Sequence, residues 1–175
     1  DAALKHYNQA AQDARGLVET APAVLENKLE EAQAALVRGE GALAKEGFTL
    51  ALTIDPQNTI ARKGLERAEK LGEVMTLMQN GQTHESAGNL ALALADYEAA
   101  LALDPDWAPA QAAVPRVRDR VAMDQFRTHM SLGLAAFHRR SYAEARREIN
   151  KALTFRPGAP EAADALAQID TAVRN

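Results

Sequence analysis

The sequence predicts an all-α fold, and three observations carry that prediction. Alanine, the strongest helix former, makes up roughly a fifth of the 175 residues. No run alternates Val, Ile, Thr and aromatic residues with polar ones, as a half-buried strand would. The third observation is internal repetition, which takes precedence over any local motif. Gly39 to Phe48, Gly88 to Tyr97 and Arg140 to Ile149 align without a gap. With 47% hydrophobic and 25% charged residues, the chain is apolar enough to bury a core.

Each aligned segment runs into a similar ending: Ala51-Leu52-Thr53-Ile54-Asp55-Pro56, Ala100-Leu101-Ala102-Leu103-Asp104-Pro105 and Ala152-Leu153-Thr154-Phe155-Arg156-Pro157. The chemistry of one helix reads off in order. A turn residue opens it, and a small residue (Ala44, Ala93, Ala145) lets a neighbouring helix approach. A large one (Phe48, Tyr97, Ile149) fills the space four residues on, and a second alanine (Ala51, Ala100, Ala152) repeats the small contact. Proline then ends the helix because it has no N–H to give.

This succession of small, large, small and proline resembles the tetratricopeptide repeat. Ala44, Phe48, Ala51 and Pro56 match it, as do Ala93, Tyr97, Ala100 and Pro105, and Ala145, Ile149, Ala152 and Pro157. The small residue expected on the preceding helix stands as Ala32, Gly81 and Gly133. The resemblance implies a solenoid of three antiparallel helix pairs that binds another protein or peptide in a groove lined by the first helix of each pair.

The spacing departs from the family. Pro56, Pro105 and Pro157 lie 49 and 52 residues apart, against a family period of about 34. The surplus is itself helical: from Thr59 to about Ala87 no proline intervenes, and Ala61, Leu65, Ala68, Leu71, Met75, Met78 and Gln82 follow a mostly apolar three-or-four spacing. Gly64, Gly72 and Gly81 weaken that helix while permitting close packing. Each unit therefore pairs a long first helix with a short one of about 14 residues. The predicted organisation is one domain, residues 1–175, with units at about 1–56, 57–105 and 106–157 and a capping helix within 158–175. In the first unit, Leu4, Tyr7, Ala11, Ala14, Val18, Ala21 and Leu25 form one apolar stripe, with a break expected at Pro22. In the third, a long element from Trp107 to Arg139 is expected to kink near Pro115. The closing helix, about Pro160 to Val173, offers Glu161, Asp164, Gln168, Asp170 and Thr171 as the polar outer face of a cap.

Composition narrows the function. Without cysteine there is no disulfide and no thiolate metal site. No apolar run approaches the roughly 18 residues of a membrane span, so membrane attachment would run through a segment outside this chain. The start at Asp1, without methionine and already in a helical pattern, points to a piece of a longer or processed protein. A periplasmic domain of a membrane-anchored bacterial protein is favoured over a cytoplasmic one. The net charge of −4 hides a gradient: residues 1–56 carry 5 basic and 9 acidic groups, whereas 106–157 carry 10 and 5. Arg116, Arg118, Arg120, Arg139, Arg140, Arg146 and Arg147 make that third unit basic, so it should attract acidic surfaces.

No constellation for catalysis, a metal or a cofactor emerges. His6, His84, His129 and His138 lack the i,i+4 spacing of a zinc helix and read as solvent- or groove-facing. Glu30 and Glu31, adjacent on a helix, diverge by about 100° and read as a solvated face. The three serines lie in no nucleophile elbow, and no glycine-rich loop could cradle a phosphate. The arginines of the third unit could contact phosphates. A net acidic chain without interleaved exposed aromatics nevertheless lacks the nucleic-acid footprint. The sequence thus predicts a non-catalytic scaffold or adaptor. The alternative is a self-assembling structural module, a homo-oligomer in which the acidic first unit stacks on the basic third.

The resemblance also implies where a partner docks. The groove-facing candidates are Leu29, Gln33 and Leu36 in the first unit. In the second they are Met75, Gln79, Gln82 and Ser86, and in the third Arg127, Met130, Ser131, Leu134 and His138. At helical spacing Met130, like Met78, is more often core filler than a contact residue. Co-chaperone members of the family grip a C-terminal carboxylate with Lys, Asn and Arg at positions that correspond to Leu29, Gln33, Gln79, Arg127 and Ser131. Only Arg127 has a suitable charge, so recognition should rest on apolar and amide contacts instead.

Overall fold

The computed structural model describes residues 2–174, the side chains of residues 2, 3, 14, 15 and 17–19 excepted. Among the described residues the chain forms helices throughout: α1 Ala2–Val37, α2 Gly41–Ile54, α3 Thr59–Ser86, α4 Leu90–Leu103, α5 Ala108–His138, α6 Tyr142–Phe155 and α7 Pro160–Arg174. Long helices of 36, 28 and 31 residues alternate with short ones of 14 residues each. The chain divides into two compact units, residues 1–79 with 99–106, and residues 80–98 with 107–175.

In the first unit α1 packs on α2. Their backbones meet at Gly47, where an added Cβ would stand 2.7 Å from the Cβ of Ala32. Phe48 is fully buried, and its ring lies so close to Gly64 that a Cβ there would come within 2.3 Å of it. The first half of α3 thereby lies on α2 and buries Ala61, Ala68, Leu71 and Val74. Burial of so many apolar side chains at about 25 cal/mol per Å² dominates the stability of the unit. One buried charge accompanies it: Asp104, 2% exposed, accepts from Arg67 Nε at 2.9 and 3.0 Å and from the Asp106 N–H at 3.1 Å. Removing Arg67 would strand that carboxylate, the costly way to break such a pair.

The second unit repeats the device. A Cβ on Gly81 would stand 2.6 Å from the Tyr97 ring, and one on Gly133 would stand 2.6 Å from Ile149 Cδ1. α6 packs between α5 and α7. Buried Ala162, Ala165 and Ile169 of α7 repeat the spacing of buried Ala110, Ala113 and Val117 in α5. α7 is thus built like the first half of a long helix and covers α6 with it, leaving Glu161, Asp164, Gln168 and Thr171 in solvent as a cap requires. At the position held by Asp55 and Asp104 in the other repeats stands Arg156. It lies 5.1 Å above the Phe126 ring and donates to Glu161 at 3.1 Å.

The turns between long and short helices share one geometry. Gly39, Gly88 and Arg140 adopt left-handed backbones with φ of 81, 79 and 62°. In each case the next N–H reaches the carbonyl five residues back: Glu40 to Ala35, Asn89 to His84 and Ser141 to Ala136, all at 2.9 Å. This closes the helix C-terminus in the Schellman manner. Arg140 accepts the strain that glycine avoids in the other two turns.

Several expectations are corrected. α1 runs unbroken through Pro22, where a break is expected, whereas α5 holds Pro115 inside one long helix, as the expected element does. A proline removes one ladder bond, and the helix formers on either side propagate across it. The predicted stripe of α1 is not a core. Leu4 and Tyr7 lie in solvent, Ala11, Ala21 and Leu25 are half-buried, and the Ala14 and Val18 side chains lie outside the described residues. Along α3 the buried line takes in Gly64 and Val74 and leaves Met75 and Gln82 exposed.

Gly81 and Gly72 separate two roles of glycine. Gly72 has nothing within 4 Å of a built Cβ, so Gly72→Ala should raise stability by up to about 1 kcal/mol in urea unfolding. Gly81→Ala should instead lower it by about 1–2 kcal/mol, because overpacking against Tyr97 outweighs the helix gain. Arg140→Gly should raise the thermal midpoint, with a gain of roughly 0.5–1 kcal/mol from relief of the left-handed strain.

Candidate functional site

The alignment of the repeats places equivalent positions on the three long helices. Stepping by 49 and then 52 residues, the equivalents are Glu26, Met75 and Arg127; Glu30, Gln79 and Ser131; Gln33, Gln82 and Leu134; and Val37, Ser86 and His138. All are exposed. They occupy i, i+4, i+7 and i+11, one face of an α-helix. The seats described above dictate which face this is: on α3, burial of Leu71, Val74, Met78 and Gly81 turns Met75, Gln79, Gln82 and Ser86 outward.

Of the predicted docking residues, Gln33, Met75, Gln79, Gln82, Ser86, Arg127, Ser131, Leu134 and His138 lie on this face. Three do not. Leu36 is 2% exposed and belongs to the core. Leu29 is half-buried and aligns with buried Met78. Met130 is half-buried against the core around Phe126 and Ile149. Sequence reasoning missed Glu26, Glu30 and Val37. The signal that finds them is the 49-residue offset applied to Met75, Gln79 and Ser86. Two shallow cavities accompany the face. One, of about 320 Å³, is lined by Pro22, Leu25, Glu26, Leu29, Glu30, Gln33 and Ile60. The other, of about 460 Å³, is lined by Gln82, Glu85, Ser86 and Arg120.

Charge in the second unit is arranged internally. Glu85 accepts from Arg116 and Arg120 and, at 3.1 Å, from the hydroxyl of Tyr97. The Arg116 hydrogen bond, more than any other contact, holds the Glu85 carboxyl below its ordinary range. Burial, followed by the bond to Glu85, pushes the Tyr97 phenol up. Arg118 pairs with Glu98, Arg139 with Glu144, Arg146 with Asp170 and Arg147 with Glu148. Among the described residues, six of the seven arginines that make the third unit basic thus meet a carboxylate, and Arg140 is the exception.

Two histidines read from sequence as solvent- or groove-facing are interhelical partners. Glu148 Oε2 accepts from His129 Nδ1 at 2.8 Å, and Asp96 Oδ2 from His84 Nδ1 at 2.6 Å. His129 also stacks on Phe155, with ring centroids 5.7 Å apart. The bond from His129, reinforced by Arg147 and Lys151, lowers the Glu148 carboxyl to about 2 against the opposing effect of desolvation. A carboxylate depressed in the native state stabilises the fold above its unfolded pKa of about 4.3, and that contribution is lost as pH falls through the native value. The native protein should therefore lose stability between pH 4.5 and 2, and Glu148→Gln should flatten that slope in chemical unfolding across the same window.

Comparison with known proteins bears on the same helices. A family model described as tetratricopeptide repeat matches residues 76–106. The match opens midway along α3 and takes in Gly81, all of α4 with Ala93, Tyr97 and Ala100, and Pro105. The first half of α3, which lies on α2, falls before it, and this accounts for the long repeat spacing. No curated protein matches the chain. Tetratricopeptide domains generally bind other proteins or peptides and are generally non-catalytic. Residues 76–106, the second half of α3 with α4, thus carry a tetratricopeptide repeat with Tyr97 seated on Gly81, and the all-helical chain around them fits a member of that family.

Proposed function

We propose that the chain is a non-catalytic adaptor that binds a partner protein along the outward face of its long helices. The observation that carries this reading is the equivalent face itself. Three helices with different sequences expose the same four positions, and those positions hold Met75, Leu134, Val37 and the amides Gln33, Gln79 and Gln82 alongside Glu26, Glu30 and Arg127. Exposed Met75 and Leu134 on a helix face are adaptable apolar contacts. Arg127 adds a cation with no ion-pair partner among the described residues. With one charged residue at the five clamp positions, recognition rests on apolar and amide contacts, not on capture of a C-terminal carboxylate.

Charge reversal on the face tests the reading. A Gln79→Glu, Arg127→Glu variant, confirmed as folded by circular dichroism, should retain no more than about a tenth of the wild-type yield of each specific partner in quantitative capture from the native host. Undiminished capture would remove the face assignment.

A further inference from the structure

The first unit carries a docking seat that the other two long helices lack. Leu25 aligns with Val74 and Phe126, and Leu29 aligns with Met78 and Met130. The fold buries Val74, Met78 and Phe126, and packs Met130 against a core. Leu25 is instead half-buried, and with Leu29, half-buried as Met130 is, and Ile60, 52% exposed, it lines an open cavity of about 320 Å³. An apolar position that is covered in two copies of a repeat and, in the third, opens onto a cavity with an exposed apolar floor marks a place where an external group completes the packing.

The rim of the cavity states what that group is. Glu26 and Glu30 stand four residues apart on α1, so their like charges repel. Neither has an ion-pair partner among the described residues, although neighbouring Glu31 is paired with Lys28 and Glu40 with Arg38. The corresponding positions are Met75 and Gln79 on α3 and Arg127 and Ser131 on α5, so the acidic pair belongs to the first unit alone. Gln33, one turn on, adds an amide that can donate and accept. An aliphatic floor of this size accepts one large apolar side chain, and the two carboxylates beside it are complementary to a cation on the same segment.

We propose that this seat binds a segment of a partner protein that carries an apolar side chain next to lysine or arginine, the apolar group on Leu25, Leu29 and Ile60 and the cation on Glu26 and Glu30. The proposal rests on the reading of the long-helix face as a docking surface and adds the chemistry that one part of it selects.

The test uses two labelled synthetic peptides of equal length, built from Leu and Ala with either Lys or Glu at the charged positions, titrated against the whole chain by fluorescence anisotropy. The Lys peptide should bind more tightly than the Glu peptide, and less tightly as sodium chloride is raised. Glu26→Gln with Glu30→Gln should weaken the Lys peptide about three- to tenfold, while Leu29→Asp should abolish its binding. Thermal unfolding of both variants guards against loss of fold, and the paired glutamine variant, isosteric and exposed, keeps the test open if Leu29→Asp unfolds. Equal binding of the two peptides, abolished by Leu29→Asp, would overturn the charge selection and leave the docking face standing. Binding that none of these substitutions changes would overturn both.

Discussion

In this protein a large side chain repeatedly packs against a residue that has almost none. Phe48 rests on Gly64, Tyr97 on Gly81 and Ile149 on Gly133, with each glycine so near that a single methyl group would collide. Glycine inside a helix sacrifices propensity. The return is an approach close enough for the whole face of a ring or branched chain to make dispersion contacts. Everything outward follows from that inward choice. Because the helix advances about 100° per residue, once Leu71, Val74, Met78 and Gly81 face in, Met75, Gln79, Gln82 and Ser86 must face out. The outward face is thus the geometric complement of the seats.

The seats were legible in the sequence because they recur. Three gapless copies of small, large, small and proline name the buried apolar residues of α2, α4 and α6, and the small residue on the preceding helix gives Gly81 and Gly133, whereas Gly64, on the helix after Phe48, lies outside that pattern. The long helices were harder. Their apolar residues follow a three-or-four spacing that two adjacent faces satisfy almost equally, so Leu36 reads as outward although the core holds it. Glu26 and Glu30 look like ordinary solvated acids until the repeat offset sets them beside Met75 and Gln79. The partners of His84 and His129 lie 12 and 19 residues away across a hairpin. No spacing rule within one helix reaches that far. Pro22 misleads for the opposite reason: a local rule about proline yields to helix propagation on both sides.

Formal charge is an equally incomplete guide. The arginines of the third unit suggest a surface that reaches outward for acidic partners. Most of them instead meet carboxylates on their own or neighbouring helices. Exposed pairs of this kind contribute little stability individually, yet they neutralise the field that a count of residues implies. Among the described residues, Glu26 and Glu30 on α1 and Arg127 on α5 are charges of the outward face without such company.

Glu85 sits in the last turn of α3, where a negative charge opposes the helix dipole and where helices ordinarily begin to unwind. Its carboxylate is nonetheless gripped by Tyr97 from α4 and by Arg116 and Arg120 from α5. Opening that terminal turn would release all of these partners at once. Its amides should therefore exchange with solvent as slowly as those of mid-helix residues, so that the expected loose end of α3 behaves as a clasp for the helices around it.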